Sequence, residues 1–234
     1  MKNFDVIIPF RDRGNDPCRP ANLKAALQWW RSRGINPIVI DDGLTGDAQF
    51  NRSRAYNRGA EISKANILCY IEADLLIPAN QLYEAVRIAA EKPGLVVAFS
   101  RFMAMIERDS EFVRAGLIPP AQACAQQMRG DKQSIGAANV VSRESLEMIG
   151  RFDEGFSGHA YDDDATELAF RICCGPTRFV EGAGFHMYHR PGALYGQASE
   201  ADLAATERNR QRFELYKQAK TPEDIRRLTL GNID

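Results

Sequence analysis

The sequence predicts an α/β fold with a mostly parallel central sheet, helices on its flanks and a helical extension at the carboxyl end. Short, nearly continuous apolar runs have strand length, segments of helical period separate them, and polar clusters follow the runs directly. Phe4–Phe10 (FDVIIPF) opens the chain as a strand buried on both faces. After a polar loop Pro20 opens a helix with Leu23, Ala26, Leu27 and Trp30 on one side, and Gly34 ends it. Pro37–Ile40 is the second strand and closes on Asp41-Asp42-Gly43. A helix from about Asn51 to Lys64 leads to the strand Ile67–Ile71, which delivers Glu72-Ala73-Asp74. Pro78, Leu82, Val86 and Ala89 mark the next helix, stopped at Pro93-Gly94, and Leu95–Phe99 is a fourth strand. Strands alternating with helices imply parallel pairing, and ligands of such sheets gather at the strands' carboxyl ends, where these polar clusters fall.

Periodicity weakens in the second half. Arg101–Gln133 lacks clear periodicity and contains Pro119-Pro120, so it reads as a mobile or substrate-shaping segment. Gly136–Val141 is a strand, and Ser142 caps a short helix through Ile149. Asp164–Cys173 reads as a helix, Phe179–His189 as extended chain, and Ser199–Lys220 as a charged helix. Thr221-Pro222-Glu223-Asp224 starts a last helix, with Thr as cap. The simplest partition is one domain over residues 1–198, with a nucleotide-binding half at 1–100 and an acceptor half at 101–198. Residues 199–234 form the helical extension.

Thirty basic residues against 31 acidic ones leave a net charge of −1. That balance excludes a strongly basic nucleic-acid-binding surface as the dominant feature. Arg208, Arg210, Arg212, Arg226 and Arg227 are interleaved with acids and read as a solvated helix face. No apolar run is long enough to span a bilayer and no secretory leader is visible, so the expected location is cytoplasmic. Five scattered cysteines fit neither a disulfide framework nor a zinc site.

Four clusters have chemistry to offer. Glu72-x-Asp74 places two hard carboxylates at a strand end, where one reaches a divalent cation and the other a sugar hydroxyl. Asp41-Asp42-Gly43 is a turn whose carboxylates can accept from a base N–H. Asp162-Asp163-Asp164 sits at a helix start; mutual repulsion raises at least one pKa, as a general base requires. His186 and His189 lie three apart in an extended run, on opposite faces, so one of them rather than both would join a metal site.

The order of these clusters along the chain resembles the GT-A-fold, nucleotide-sugar-dependent glycosyltransferases of the family-two and galactosyltransferase-like type. VIIPFRDR (6–13) looks like their opening strand and loop, and VIDDGLTGD (39–47) resembles their V-D-D-G-S-T-D segment. FNRSRAYNRGAEISKANILCYIEAD (50–74) looks like the helix and strand that lead to the D-x-D motif. GAANVVSRESLEMIGRFDEGFSGHAYDDDATELAFRI (136–172) is similar to their acceptor-side block.

The resemblance implies a metal-dependent, inverting transfer from a UDP-sugar, with Mn²⁺ or Mg²⁺ as cofactor. Pro9, Arg11, Arg13 and Arg54 would border the nucleotide, and Asp41 or Asp42 would accept from the uracil N–H. Glu72 would meet ribose beside Ala73, and Asp74 would bind the metal together with His186 or His189. One of Asp162, Asp163 and Asp164 would be the base, with Gly136, Asn139, Gly158 and His159 on the acceptor side. Counting back from Arg171 sets Ala165 where the family has its catalytic Asp, so either the loop shifts register or the mechanism differs. His159 stands where the family has Trp. The acceptor is a glycan, a protein, a lipid-linked sugar or a hydroxylated DNA base, and nucleic acid enters in that last role alone. The competing readings are a sugar-nucleotide nucleotidyltransferase and a non-catalytic nucleotide-sugar or glycan-binding module.

Overall fold

The computed structural model describes residues 4–14, 16–46, 48–190 and 199–231. Its main sheet has six strands in the order β2 (Ile38–Ile40), β1 (Phe4–Pro9), β3 (Ile67–Ile71), β8 (Ala138–Ser142), β5 (Val96–Val97), β9 (Arg178–Phe179). β1 pairs in parallel with β2 and β3, while β8 lies antiparallel to both β3 and β5. With β9 parallel to β5, five strands run one way and β8 the other. Every residue of β3 is buried, and Ile7, Ile8, Leu68 and Cys69 have no exposed surface. Burial on both faces is what the unbroken apolar runs required, at about 1.5–3 kcal/mol for each large side chain removed from water. Cys69 behaves as a core hydrophobe; burial drives its thiol pKa well up.

Helices cover the sheet. α1 (Cys18–Arg31) buries Asn22, Ala26 and Trp30 and begins at Cys18, with Pro20 inside its first turn. α2 (Arg52–Ile62) is capped by Asn51, whose side chain accepts from the Arg54 N–H. Gly59 lets this helix lie directly on β1, since a Cβ there would stand 2.5 Å from Ile7 Cγ2. α3 (Ala79–Glu91) and α5 (Arg143–Met148) follow the expected positions, and Ser142 caps α5.

The segment 101–133, without clear periodicity in the sequence, nevertheless holds regular elements. It forms β6 (Arg101–Met105), α4 (Glu107–Arg114), a 3-10 turn at Pro120–Gln122 and β7 (Ala125–Gln127). With β4 (Leu75–Leu76) and β10 (Ala183–His186) these strands build a second sheet in the order β4-β10-β6-β7. Its pairing is non-local: β6 lies against β10 some eighty residues later, and the short strands leave no alternation to read. β4 extends the chain just past the carboxyl end of β3 and pairs with β10, so the small sheet adjoins that end of the main sheet.

α6 (Asp162–Cys174) packs Ala165, Ala169 and Phe170 into the core. α7 (Glu200–Gln218) and α8 (Pro222–Thr229) each start with a capping box, Ser199 with Asp202 and Thr221 with Asp224. Asp153 fixes α7 to the domain, accepting from Arg212 at 2.6 and 2.8 Å and from the Tyr216 hydroxyl at 2.8 Å. The expected boundary at residue 198 lies outside the described residues. None of the described helices is long and apolar enough to cross a membrane.

Candidate active site

Asp74 leaves the carboxyl end of β3 and is 7% exposed. His186 Nε2 stands 3.4 Å from its Oδ1, and His189 Nε2 stands 3.3 Å from its Oδ2. The expectation that only one histidine could join the aspartate is therefore wrong. β10 ends at His186, and alternation ends with it. The following residues are pinned individually: Met187 N–H to the Asp74 carbonyl at 2.8 Å, Tyr188 N–H to Ser110 Oγ at 2.8 Å, Arg190 N–H to Asp16 Oδ2 at 2.7 Å. Those bonds turn His189 back onto the face that His186 occupies.

One ligand atom from each of Asp74, His186 and His189 lies within 4.8 Å of the others. Ligands about 2.1 Å from a common ion in a cis arrangement are about 3 Å apart, so the three fit one divalent cation. Asp74 Oδ1 is buried without a hydrogen bond, as an oxygen meant for an ion would be. His189 Nδ1 is 2.8 Å from the Arg190 carbonyl. Arg19 Nη2 lies 3.3 Å from the same nitrogen, and in the tautomer that donates from Nδ1 to the carbonyl the Nε2 lone pair is free for a cation. Burial raises the Asp74 pKa, but His186, His189 and Arg19 outweigh it and hold the carboxyl below its ordinary value.

Two residues earlier, Glu72 belongs to a second cluster built around Arg52, the first residue of α2. Arg52 Nη1 contacts Glu72 Oε1 at 2.5 Å, and its Nε and Nη2 clasp Asp162 Oδ2 at 3.0 and 2.6 Å. Nη2 also pairs with Asp163. Sequence reasoning chose Arg54 and missed Arg52. Two residues on a helix point about 200° apart. The Arg54 guanidinium makes no hydrogen bond or ion pair with the described residues, and lies on the flank that Arg58 uses to reach Asp41. The signal was available: a cation at the first helical position after the Asn51 cap points toward the strand ends. Arg52→Gln would leave three carboxylates facing one another and should cost about 2–4 kcal/mol in urea denaturation.

The aspartate triplet divides by direction. Asp162 and Asp163 face Arg52, Asp164 is exposed, and Ala165 is buried in the core. The register counted back from Arg171 thus points away from the cleft, and the residues available to it are Asp162 and Asp163. Burial pushes the Asp163 pKa up to about 7; Asp162 and Glu72 add to this and Arg52 opposes it. Gly136 makes room for that carboxylate: its φ is +105°, and a Cβ would stand 2.1 Å from Asp163 Oδ1. Gly136→Ala should cost about 2–4 kcal/mol in urea denaturation, combining backbone strain with overpacking. Asn139 is buried, and its Oδ1 accepts from the Gly136 N–H at 3.3 Å, so it shapes this turn from below. Gly158 and His159 are exposed. Partial desolvation, aided by Arg52 and Arg19, lowers the His159 pKa against the pull of Asp162 and Glu72.

Pro9 ends β1 opposite Ile40, below the expected nucleotide edge. Asp42 is fully buried and spent on the protein: Arg11 Nε lies 2.9 Å from Oδ1 and the Asn51 N–H 2.9 Å from Oδ2. Arg11 also donates to the Ala48 carbonyl at 2.7 Å, so this pair braces the loop after β2. Asp41 is the exposed member; its Oδ1 takes the Gly43 N–H at 2.8 Å and Arg58. Its Oδ2 accepts no bond from the described residues. Arg13 is exposed, with a 3.4 Å contact to Gln49. Ala73 is buried between Glu72 and Asp74.

No protein-family model and no curated protein matches the chain. Solved structures do. The catalytic domain of Drosophila beta1,4-galactosyltransferase 7, complexed with xylobiose, is similar with a TM-score of 0.54 at 15% identity, over 84% of this chain and 74% of that one. A mutant of that enzyme with manganese, UDP-Gal and xylobiose gives 0.51 at 16%, over 76% and 64%. Glucosyl-3-phosphoglycerate synthase from Mycobacterium tuberculosis, with Mn²⁺ and UDP-glucose, gives 0.53 at 14%, over 91% and 77%. The chain thus spans slightly less than two thirds of one of these structures and about three quarters of the other two. The fold is GT-A, the α/β architecture of glycosyltransferases that use nucleotide sugars.

Proposed function

We propose that this protein is a metal-dependent glycosyltransferase that moves a sugar from a UDP-sugar to an acceptor hydroxyl, with inversion. The observation that carries the reading is the convergence of Asp74, His186 and His189 at the carboxyl end of β3, two residues from the Arg52 cluster. A bound Mn²⁺ or Mg²⁺ would supply Lewis-acid neutralisation of the leaving diphosphate. Two imidazoles among three ligands favour Mn²⁺ over Mg²⁺, which prefers an all-oxygen shell.

Asp41 Oδ2 accepts from the base N–H, and Glu72 accepts from the ribose. Asp163, with Asp162 beside it, takes the acceptor proton as the acceptor oxygen bonds to the anomeric carbon. The bond from that carbon to the diphosphate oxygen breaks, and UDP leaves with the electron pair. On this reading the donor is held from both halves of the chain, with Asp74 before residue 100 and His186 and His189 after it. With xylobiose bound to one structural neighbour, a glycan hydroxyl is the acceptor to test first.

Incubation with a panel of UDP-sugars and Mn²⁺, with and without glycans, tests the reading. Slow hydrolysis suffices, so the acceptor need not be known. UDP as the released nucleotide, and a product of inverted anomeric configuration by NMR, are the expected results. Pyrophosphate release would indicate nucleotidyl transfer, and tight UDP binding without turnover would indicate a binding module.

A further inference from the structure

Helix α7 closes over the turn that leads into α6. Its Asn209 is 2% exposed, on the face that also buries Ala205 and Tyr216, and its whole amide is spent on that turn. Oδ1 accepts from the Ser157 N–H at 3.2 Å. Nδ2 donates to the carbonyls of Ser157, His159 and Ala160 at 2.9, 3.1 and 3.1 Å. The turn needs such support because Ala160 and Tyr161 are consecutive non-glycine residues with φ of +72° and +70°. A left-handed backbone is strained for any residue with a Cβ, and two such residues in succession persist only where the surroundings over-determine them. Tyr161 gives α6 no side-chain cap, so the direction of Asp162 and Asp163 depends on this turn. α7 also holds Tyr161 from the side, through the Phe213 ring 5.7 Å away, and Gly158 N–H reaches the Phe50 carbonyl at 2.8 Å.

We propose that Asn209 is a positioning residue: it holds the strained 157–161 turn in the conformation that aims Asp163, and with it His159, into the acceptor side of the cleft. The inference rests on the glycosyl-transfer reading for its consequence but not for its geometry. A purely structural amide would lower stability and leave kcat alone. A positioning amide acts on kcat while donor binding, which involves other elements, is preserved.

The test compares Asn209→Ala and the milder Asn209→Ser with Leu228→Ala, a core truncation in α8 that removes no hydrogen bond to the turn. All are assayed at a temperature where each is folded. Hydrogen exchange at the Ser157 amide is expected to accelerate at least about tenfold in the Asn209 variants and not in Leu228→Ala. Their kcat is expected to fall about 10–100-fold, with donor KM and calorimetric UDP affinity within about twofold of wild type. Unchanged Ser157 protection, or lost protection with wild-type kcat, overturns the proposal. So does an equal kcat loss in Leu228→Ala at a matched loss of Tm. If the wild type turns over no donor yet Ser157 protection still depends on Asn209, the transfer reading fails and the clamp stands.

Discussion

Asp74→Asn is expected to lower Mn²⁺-dependent UDP release at least about 1000-fold while leaving the fold intact. The estimate follows from the several kcal/mol that charge neutralisation at a leaving diphosphate contributes, since about 4 kcal/mol is three orders of magnitude in rate. Asn preserves volume but offers a neutral oxygen to the ion and an N–H₂ to the two histidines. Asp74 Oδ1 makes no hydrogen bond, so the substitution breaks no structural bond at that atom. Far-UV circular dichroism should therefore stay near wild type, while the thermal midpoint should fall by a few degrees, because the charges of His186, His189 and Arg19 lose the carboxylate they hold ionised. UDP release in saturating donor at a defined Mn²⁺ concentration is the measurement. Unchanged turnover would remove Asp74 from the mechanism.

Asp163→Asn should reduce kcat by about 100- to 10,000-fold, the usual worth of a positioned general base. The pH profile carries the sharper expectation. Asp163 must be ionised to accept a proton, and its pKa is pushed up to about 7. Wild-type kcat should rise with pH through about 7, and the Asn variant should lose that limb. Asp164→Asn, at an exposed position outside the reach of Arg52, should stay within about twofold of wild type.

Linkage gives an independent check. The folded-state pKa of Asp163 lies above the ordinary 3.8, so the native state binds this proton more tightly than the unfolded chain. That stabilising contribution is present below about pH 4 and is lost as pH rises through about 7. Urea denaturation at pH 5 and pH 8 should show wild type losing stability relative to Asp163→Asn at the higher pH. The opposite trend would mean that Arg52 dominates and that Asp163 is ionised throughout.

The sheet from β1 to β3 was legible in the sequence because both faces are buried and the apolar runs are continuous. The acidic clusters were legible because they follow those runs directly. The second sheet was not, since two- to five-residue strands pairing across some eighty residues leave no periodic trace. For the same reason the histidine pair was misjudged: strict alternation applies only inside β10, which stops at His186. The sequence resemblance points to Arg54, whereas α2 begins at Arg52 and turns that residue toward Glu72. The orientation of the aspartate triplet depends on the left-handed pair Ala160-Tyr161, a conformation that neither residue type announces.

UDP affinity measured by calorimetry, first with Mn²⁺ and again after chelation, tests most directly whether the Asp74–His186–His189 centre holds the donor's diphosphate through a cation. At least about 100-fold weaker binding without the metal, with the difference abolished in Asp74→Asn, is the predicted result. Equal affinity in the presence and absence of Mn²⁺ would contradict it.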